Sequence, residues 1–228
     1  MKIAVLSVAF YSYEFSEVFV ESFKKYYAGV LPLFIVDNNM EYIKGEADIE
    51  ALGFKETKYL KAKKGIRYLK NNGSNKSHGA GLDFGVKQLF LEAFDVVITV
   101  DIDSKFIGNG LLDWVVHRSL DGFKYGGRSV VKDGVGFVHP SLAFYDLQFL
   151  IGKNLSFEDE SKKGALSTGQ LISNTFNKFG HKPAACVRDV VIHFRLGGSV
   201  LRLGANVCKH KLLGSEKYED SKRRFFKA

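Results

Sequence analysis

Asp101-Ile102-Asp103 puts two carboxylates two positions apart at the end of the most apolar run in the chain, residues 94–100 (Phe-Asp-Val-Val-Ile-Thr-Val). That run is short and rich in β-branched residues, so it reads as a buried parallel strand. Along an extended chain, residues two apart point to the same side. The two acids would then meet at the strand's carboxyl end, where open α/β sheets place their ligands. Burying two carboxylates is costly unless a cation neutralises them. Hard ions such as Mg²⁺ or Mn²⁺ take oxygen ligands and bridge a carboxylate to substrate phosphates. The chemistry implied is a metal–diphosphate site. With 13 Asp among 228 residues, such a triplet also arises by chance, as a turn in which Asp caps local amides, so its setting must decide.

Other groups could share that chemistry. Asp37-Asn38-Asn39 closes a second apolar run, 31–36; a carboxylate there can accept hydrogen bonds from a base or ribose, although the same residue types favour an Asx turn. Ser77-His78-Gly79 opens a stretch in which Leu82, Val86, Leu89 and Phe90 share a helical face. A helix start presents free amide donors and partial positive charge suited to a diphosphate, and Gly79 and Gly81 would allow close backbone approach. A capped helix start with glycine chosen for packing is the plainer alternative. His193 ends the apolar run 190–193 and becomes a third metal or phosphate ligand only if that run lies beside the Asp-x-Asp strand. Glu158, Asp159 and Glu160 form an acidic cluster, from which one member could serve as a general base toward an acceptor hydroxyl or the whole could be a solvated helix-start cluster.

The elements that would position these groups alternate. A strand over 2–9 precedes an amphipathic helix over 14–27, with Ser12 as a cap and Gly29 ending it. Strands follow at 31–36 and, more weakly, 54–60, with a short helix expected near 46–52. The basic, Gly- and Asn-punctuated segment 61–76 reads as loop. A helix over 77–92 leads into the strand ending at Asp101. This strand–helix order predicts a layered α/β sheet, mainly parallel. Beyond Asp103 the pattern expects a helix over 111–120, short Gly-punctuated strands up to Val138, an apolar stretch 142–145, a helix over 166–179 and a last strand over 190–193.

Composition bounds the rest. Hydrophobic content of 46% with only 3 Pro excludes wholesale disorder. A net charge of +8 favours anionic partners, without choosing among nucleotide sugars, phospholipid surfaces and nucleic acid. Cys186 and Cys208 carry neither a Cys-x-x-Cys spacing nor a paired His motif, so nothing calls for structural zinc or a disulfide. The opening apolar run is short and interrupted by Ser7, and no segment is long enough to span a bilayer, which gives the expectation of a cytoplasmic protein. The 201–228 segment is basic, and Phe225 and Phe226 beside Lys222, Arg223, Arg224 and Lys227 could touch an anionic surface.

Taken in order, the strand 3–9, Val36-Asp37-Asn38-Asn39, Ser77-His78-Gly79-Ala80-Gly81-Leu82, Val97-Ile-Thr-Val-Asp-Ile-Asp103, His139-Pro140-Ser141, Ser167-Thr168-Gly169 and His193-Phe-Arg-Leu-Gly-Gly-Ser199 resemble a GT-A glycosyltransferase of the compact kind similar to family 2 enzymes. The resemblance covers roughly 1–200 as one GT-A-like domain, with 1–105 the nucleotide-sugar-binding half, 106–200 the acceptor half and 201–228 appended. It implies a UDP- or GDP-sugar donor contacted by Ala9, Asp37, Asn38, His78, Gly79 and Asp101. It further implies Mn²⁺ or Mg²⁺ on Asp103, Asp101 and His193, and transfer to a hydroxyl on an unidentified glycan, lipid, protein or nucleic acid. Asp159 and Glu158 are the candidates for catalytic base. Ser167 stands where many related sequences carry Asp. A sugar-nucleotide pyrophosphorylase would place a Gly-rich basic loop after the first strand, and Ala9-Phe10-Tyr11-Ser12 offers neither feature. The non-enzymatic alternative is a basic nucleic-acid- or nucleotide-binding protein, but the chain has no reading helix or aromatic sheet motif.

Overall fold

The computed structural model describes residues 1–9, 13–37, 57–61, 73–132, 134–157, 169–187 and 190–193. Asn38, Glu158, Asp159, the expected helix near 46–52, Cys208 and the basic segment 201–228 lie outside these residues.

The first half alternates as its sequence pattern requires: β1 (Ile3–Ala9), α1 (Tyr13–Tyr27), β2 (Leu33–Asp37), β3 (Thr57–Lys61), α2 (Gly73–Leu91) and β4 (Val96–Val100). Then come β5 (Ser104–Phe106), α3 (Leu111–Leu120), the hairpin strands β6 (Tyr125–Lys132) and β7 (Val135–Asp146), α4 (Leu147–Gly152), α5 (Gln170–Lys178), β8 (Ala184–Ala185) and β9 (Val191–His193). Seven strands form one sheet in the order β3-β2-β1-β4-β7-β6-β8, and β5 pairs with β9 apart from it. Since β7 is antiparallel to both β4 and β6, and the other ladders are parallel, β7 alone runs against six codirectional strands. The sheet is therefore mainly parallel, as the alternating pattern predicts.

Each face of the sheet buries one core. In β1, Ile3, Val5 and Ala9 join a cluster with Phe19 and Phe23 of α1 and Leu111, Trp114 and Val115 of α3. Ala4, Leu6 and Val8 turn to the other face, against Leu82, Val86 and Leu89 of α2 and Phe176 of α5. All seven residues of β1 are buried, so it reads as a continuous apolar run and not as an alternating one. Its single polar member, Ser7, is satisfied by donating to the Val100 carbonyl at 2.8 Å. That bond joins the carboxyl-terminal parts of β1 and β4. Helix α2 lies close on β1: a Cβ on Gly85 would sit 2.5 Å from Leu6 Cδ1.

Several boundaries differ from the sequence expectation. Helix α2 begins at Gly73, inside the segment expected to be loop, although its core contacts come from Leu82, Val86 and Leu89 further along. His139-Pro140-Ser141 is internal to β7 and does not merely lead into a strand. Helix α4 has no counterpart in the pattern; Asp146 starts it by accepting from the Phe149 amide at 2.8 Å.

Tyr27 closes α1 against α3. Its hydroxyl donates to the Gly108 carbonyl at 2.6 Å and accepts from the Leu111 amide at 3.3 Å, serving where Gly110 has no capping side chain. Burial raises its pKa from 10.0 to about 12, and burial does the same to Tyr125; Tyr145, fully buried, is pushed up further. An unfolded tyrosine ionises near 10, so stability from these groups is complete below pH 10 and is lost as pH rises toward 12. Each can steepen the loss by up to about 1.4 kcal/mol per pH unit. We expect alkaline unfolding in that window, with the tyrosinate absorbance of these residues appearing together with loss of circular dichroism. Tyrosinate signal from all three while secondary structure persists would contradict it.

Candidate active site

The carboxyl ends of the parallel strands converge on one edge. Register places Ala9 beside Asp37 and Asp37 beside Lys61. β1 is flanked by β2 on one side and β4 on the other, so the chain leaves it in one direction and returns in the other. That reversal opens a crevice above the ends of β1 and β4, the usual ligand position in such sheets. The backbones of the expected donor residues Ala9 and Asp37 stand along its rim.

Asp101 and Asp103 stand at the crevice, 4% and 3% exposed. They do not continue the extended strand. β4 ends at Val100, and the Ser104 amide donates to the Asp101 carbonyl at 3.1 Å, closing a turn across the triplet. The alternation expected to align both carboxylates therefore holds only through Asp101. In β4, Val96, Ile98 and Val100 face the α1–α3 core and Val97 faces the α2 core. Period two extends the second set to Thr99 and Asp101, and there His78 of α2 meets Asp101, Nε2 to Oδ1 at 3.3 Å.

The turn is held from several sides. The Asp101 amide donates to the Ser141 carbonyl of β7 at 3.3 Å. On the far side, Phe106 of β5 packs edge-on to Phe23 and Tyr27 and at a tilt to Phe19, with centroids 5.3–5.5 Å apart, and its amide donates to Ser22 Oγ at 3.0 Å. The Ile107 amide donates to the Val190 carbonyl at 2.8 Å. A short loop anchored at both ends in core is a rigid mount for two acids.

β5 pairs antiparallel with β9, and Ser104 is opposite His193. The last strand thus lies beside the segment that follows the triplet and not beside β4, whose neighbours are β1 and β7, and the side chain of His193 is outside the described part. Other expected residues are placed differently. The helix start foreseen at Ser77 lies at Gly73, so the free amides belong to 73–76. Gly79 is buried within the helix, and His78 touches a carboxylate. The acidic cluster follows Phe157, which is buried and tethered: its amide donates to Asp83 Oδ1 of α2 at 2.7 Å, and Ser156 Oγ donates to Asp83 Oδ2.

Two neighbouring carboxylates with an imidazole on one of them suit a hard divalent cation by ligand type. Among the described residues no group of three or more His, Cys, Asp and Glu could hold a metal. Two carboxylates leave coordination positions for water and substrate phosphate, as is usual for Mg²⁺, so the residues present fit such an ion. Cys186, half-buried, stands apart from this chemistry; burial pushes its thiol up to about 11.

The sequence reading passed over Arg128. In the β6–β7 ladder Gly127 pairs with Ala143 but Ser129 pairs with Val138. One residue of β6, Arg128, therefore spans a four-residue step, 139–142, of β7. Pro140, which has no amide to give a ladder, lies in that step. There Arg128 Nη1 donates to Ser141 Oγ at 3.4 Å, and the Ser141 amide donates to His139 Nδ1 at 3.1 Å. A proline inside an apolar strand pattern was the available signal.

No protein-family model matches the chain, and no curated protein sequence does. Solved structures do. A mannosyltransferase from Pyrobaculum calidifontis, in complex with GDP-Man and Mn²⁺, superposes with TM-score 0.60 at 11% identity, over 86% of this chain and 58% of that one. Core-mannan synthase A from Aspergillus fumigatus, in its Mn/GDP form, gives 0.59 at 10%, over 86% and 75%. Glucosyl-3-phosphoglycerate synthase from Mycobacterium tuberculosis, in complex with Mn²⁺ and UDP-glucose, gives 0.56 at 16%, over 85% and 71%. The chain thus spans between 58% and 75% of the length of these proteins. Its fold is the GT-A fold of glycosyltransferases. No helix among the described residues is long and apolar enough to cross a membrane.

Proposed function

We propose that the protein is a glycosyltransferase that moves a sugar from a UDP- or GDP-sugar to an acceptor hydroxyl with the help of Mn²⁺ or Mg²⁺. The observation that carries this reading is the pair of buried acids, Asp101 and Asp103, mounted on a rigid turn at the β1–β4 crevice of a GT-A sheet. The GDP-mannose, UDP-glucose and Mn²⁺ found in the similar structures support the donor class and the metal.

In this reading Ala9, Asp37 and Asn38 border the base and ribose. Asp103 is the principal metal ligand, with Asp101 and His193 completing the protein's share, and His78 and Gly79 flank the diphosphate side. His78 also fixes the orientation of Asp101. When bound, the divalent ion neutralises charge that grows on the departing nucleoside diphosphate. The acceptor oxygen bonds to the anomeric carbon, and the bond from that carbon to the β-phosphate oxygen breaks with its electron pair left on the diphosphate. The hydroxyl proton passes to a carboxylate, assigned to Asp159 or Glu158.

A thermal-shift and calorimetric screen of UDP-, GDP- and TDP-sugars with and without Mn²⁺ tests the reading. A ligand at a hundred times its Kd stabilises by about 2.7 kcal/mol, which for a chain this long raises Tm by roughly 5–10 °C. The rise is expected for one donor class and only with metal. No metal-dependent binding to any of them would sink the proposal.

A further inference from the structure

The irregular step in β7 gathers three hydrogen-bonding side chains next to the metal-site turn: Arg128, His139 and Ser141. Ser141 links them to the site, since its carbonyl receives the Asp101 amide and its hydroxyl receives Arg128. Bulged strands re-aim side chains and concentrate beside active sites, and this bulge is secured from the α5 side. Gly169, at φ +87, fits against Pro140 and the Val138 carbonyl, each 2.8 Å from where a Cβ would be. Ser173 Oγ accepts the Val138 amide at 2.9 Å. His139 Nδ1 is occupied as an acceptor, so the neutral ring carries its proton on Nε2 and is a donor there.

Position along the sheet separates this cluster from the nucleotide side. Ala9 and Asp37 lie on strands to one side of β4, whereas Ser141 is one strand and Arg128 two strands to the other. One strand spacing is about 4.8 Å, so a group bound between Arg128 and Ser141 would lie about one sugar ring's width from Asp101. Guanidinium is a planar fork matched to carboxylate and phosphate oxygens. Resting on the glycosyltransferase reading, we propose that Arg128, with Ser141 and His139, binds an oxyanion on the acceptor, a phosphate monoester or carboxylate near the hydroxyl that receives the sugar.

The test uses sulfate as the probe, titrated calorimetrically into the full chain saturated with UDP or GDP and Mg²⁺. Saturable binding in the millimolar range is expected, weakened about tenfold or more by Arg128→Gln and less by Arg128→Lys, as loss of a charge-assisted pair requires. Nucleotide-sugar affinity should stay within about threefold in both variants. Absence of saturable sulfate binding, or equal affinity in wild type and Arg128→Gln, overturns the proposal. A parallel loss of nucleotide-sugar affinity also overturns it, by assigning Arg128 to the donor diphosphate. If Arg128→Gln does not fold, Arg128→Lys decides alone, and unchanged sulfate affinity in it is contrary. Should no nucleotide bind, Arg128-dependent sulfate binding to the bare chain keeps the anion site and sinks only the transferase reading. Acetate and inorganic phosphate, titrated separately, tell a carboxylate from a phosphoester acceptor.

Discussion

Asp103→Asn is expected to abolish metal-dependent nucleotide-sugar binding and to lower turnover by roughly 10²–10³-fold, the range seen when one electrostatic partner of a transition state is removed. The fold should survive. Asn keeps the volume of Asp, and its loss of charge removes the cost of holding a carboxylate at 3% exposure. Ligand-free stability should therefore stay within about 1 kcal/mol. Asp101→Asn should act more weakly on metal affinity, because Asp101 also answers to His78 at 3.3 Å and its backbone holds the turn through Ser104 and Ser141. The measurement is calorimetric donor binding with and without Mn²⁺, beside ligand-free melting. Metal-dependent binding unchanged in Asp103→Asn would make that residue structural and take the proposed metal site with it.

The parts of this arrangement that could be read from sequence are those set by local pattern. β1 and β4 are buried on both faces, so they stand out as apolar runs, and the acids at the end of β4 mark a ligand edge. The turn over Asp101–Ser104 was not legible, because the two-residue alternation presumes an extended chain and the break depends on Phe106 finding its partners in α1. His193 becomes relevant only through the β5–β9 pairing, which joins residues far apart in sequence. Pro140, which has no amide to give a ladder, lies inside β7 and not between strands. The structure absorbs it in a bulge, which requires Gly127 and Gly169 from other elements. Helix α4 escaped notice because its six residues continue the apolar composition of β7. Local composition thus locates the edge that carries the acids, while long-range pairing decides which further side chains reach it.

Gly127→Ala should be the most damaging small substitution in the sheet. Its φ is +152°, which L side chains rarely adopt, and a Cβ would stand 2.4 Å from the Leu142 carbonyl oxygen and 2.6 Å from Ala143 Cα. Both obstacles are backbone, so no rotamer relieves them. β7 cannot retreat either, since it is paired on its other edge with β4 through Leu142–Val100 and Ala143–Thr99. Overpacking and backbone strain each cost about 1–3 kcal/mol, so a loss of roughly 3–5 kcal/mol is expected, or about 6–20 °C in Tm at this chain length. The same displacement passes to Ser141, whose carbonyl holds the Asp101 amide, so surviving folded protein should bind donor less well. Gly152→Ala is the control: no heavy atom lies within 4 Å of its Cβ position, and Ala at a helix position should add about 0.4–1 kcal/mol. Equal melting temperatures for Gly127→Ala and wild type would mean that the β6–β7 step is not fixed as described, and the placement of Arg128 would fall with it.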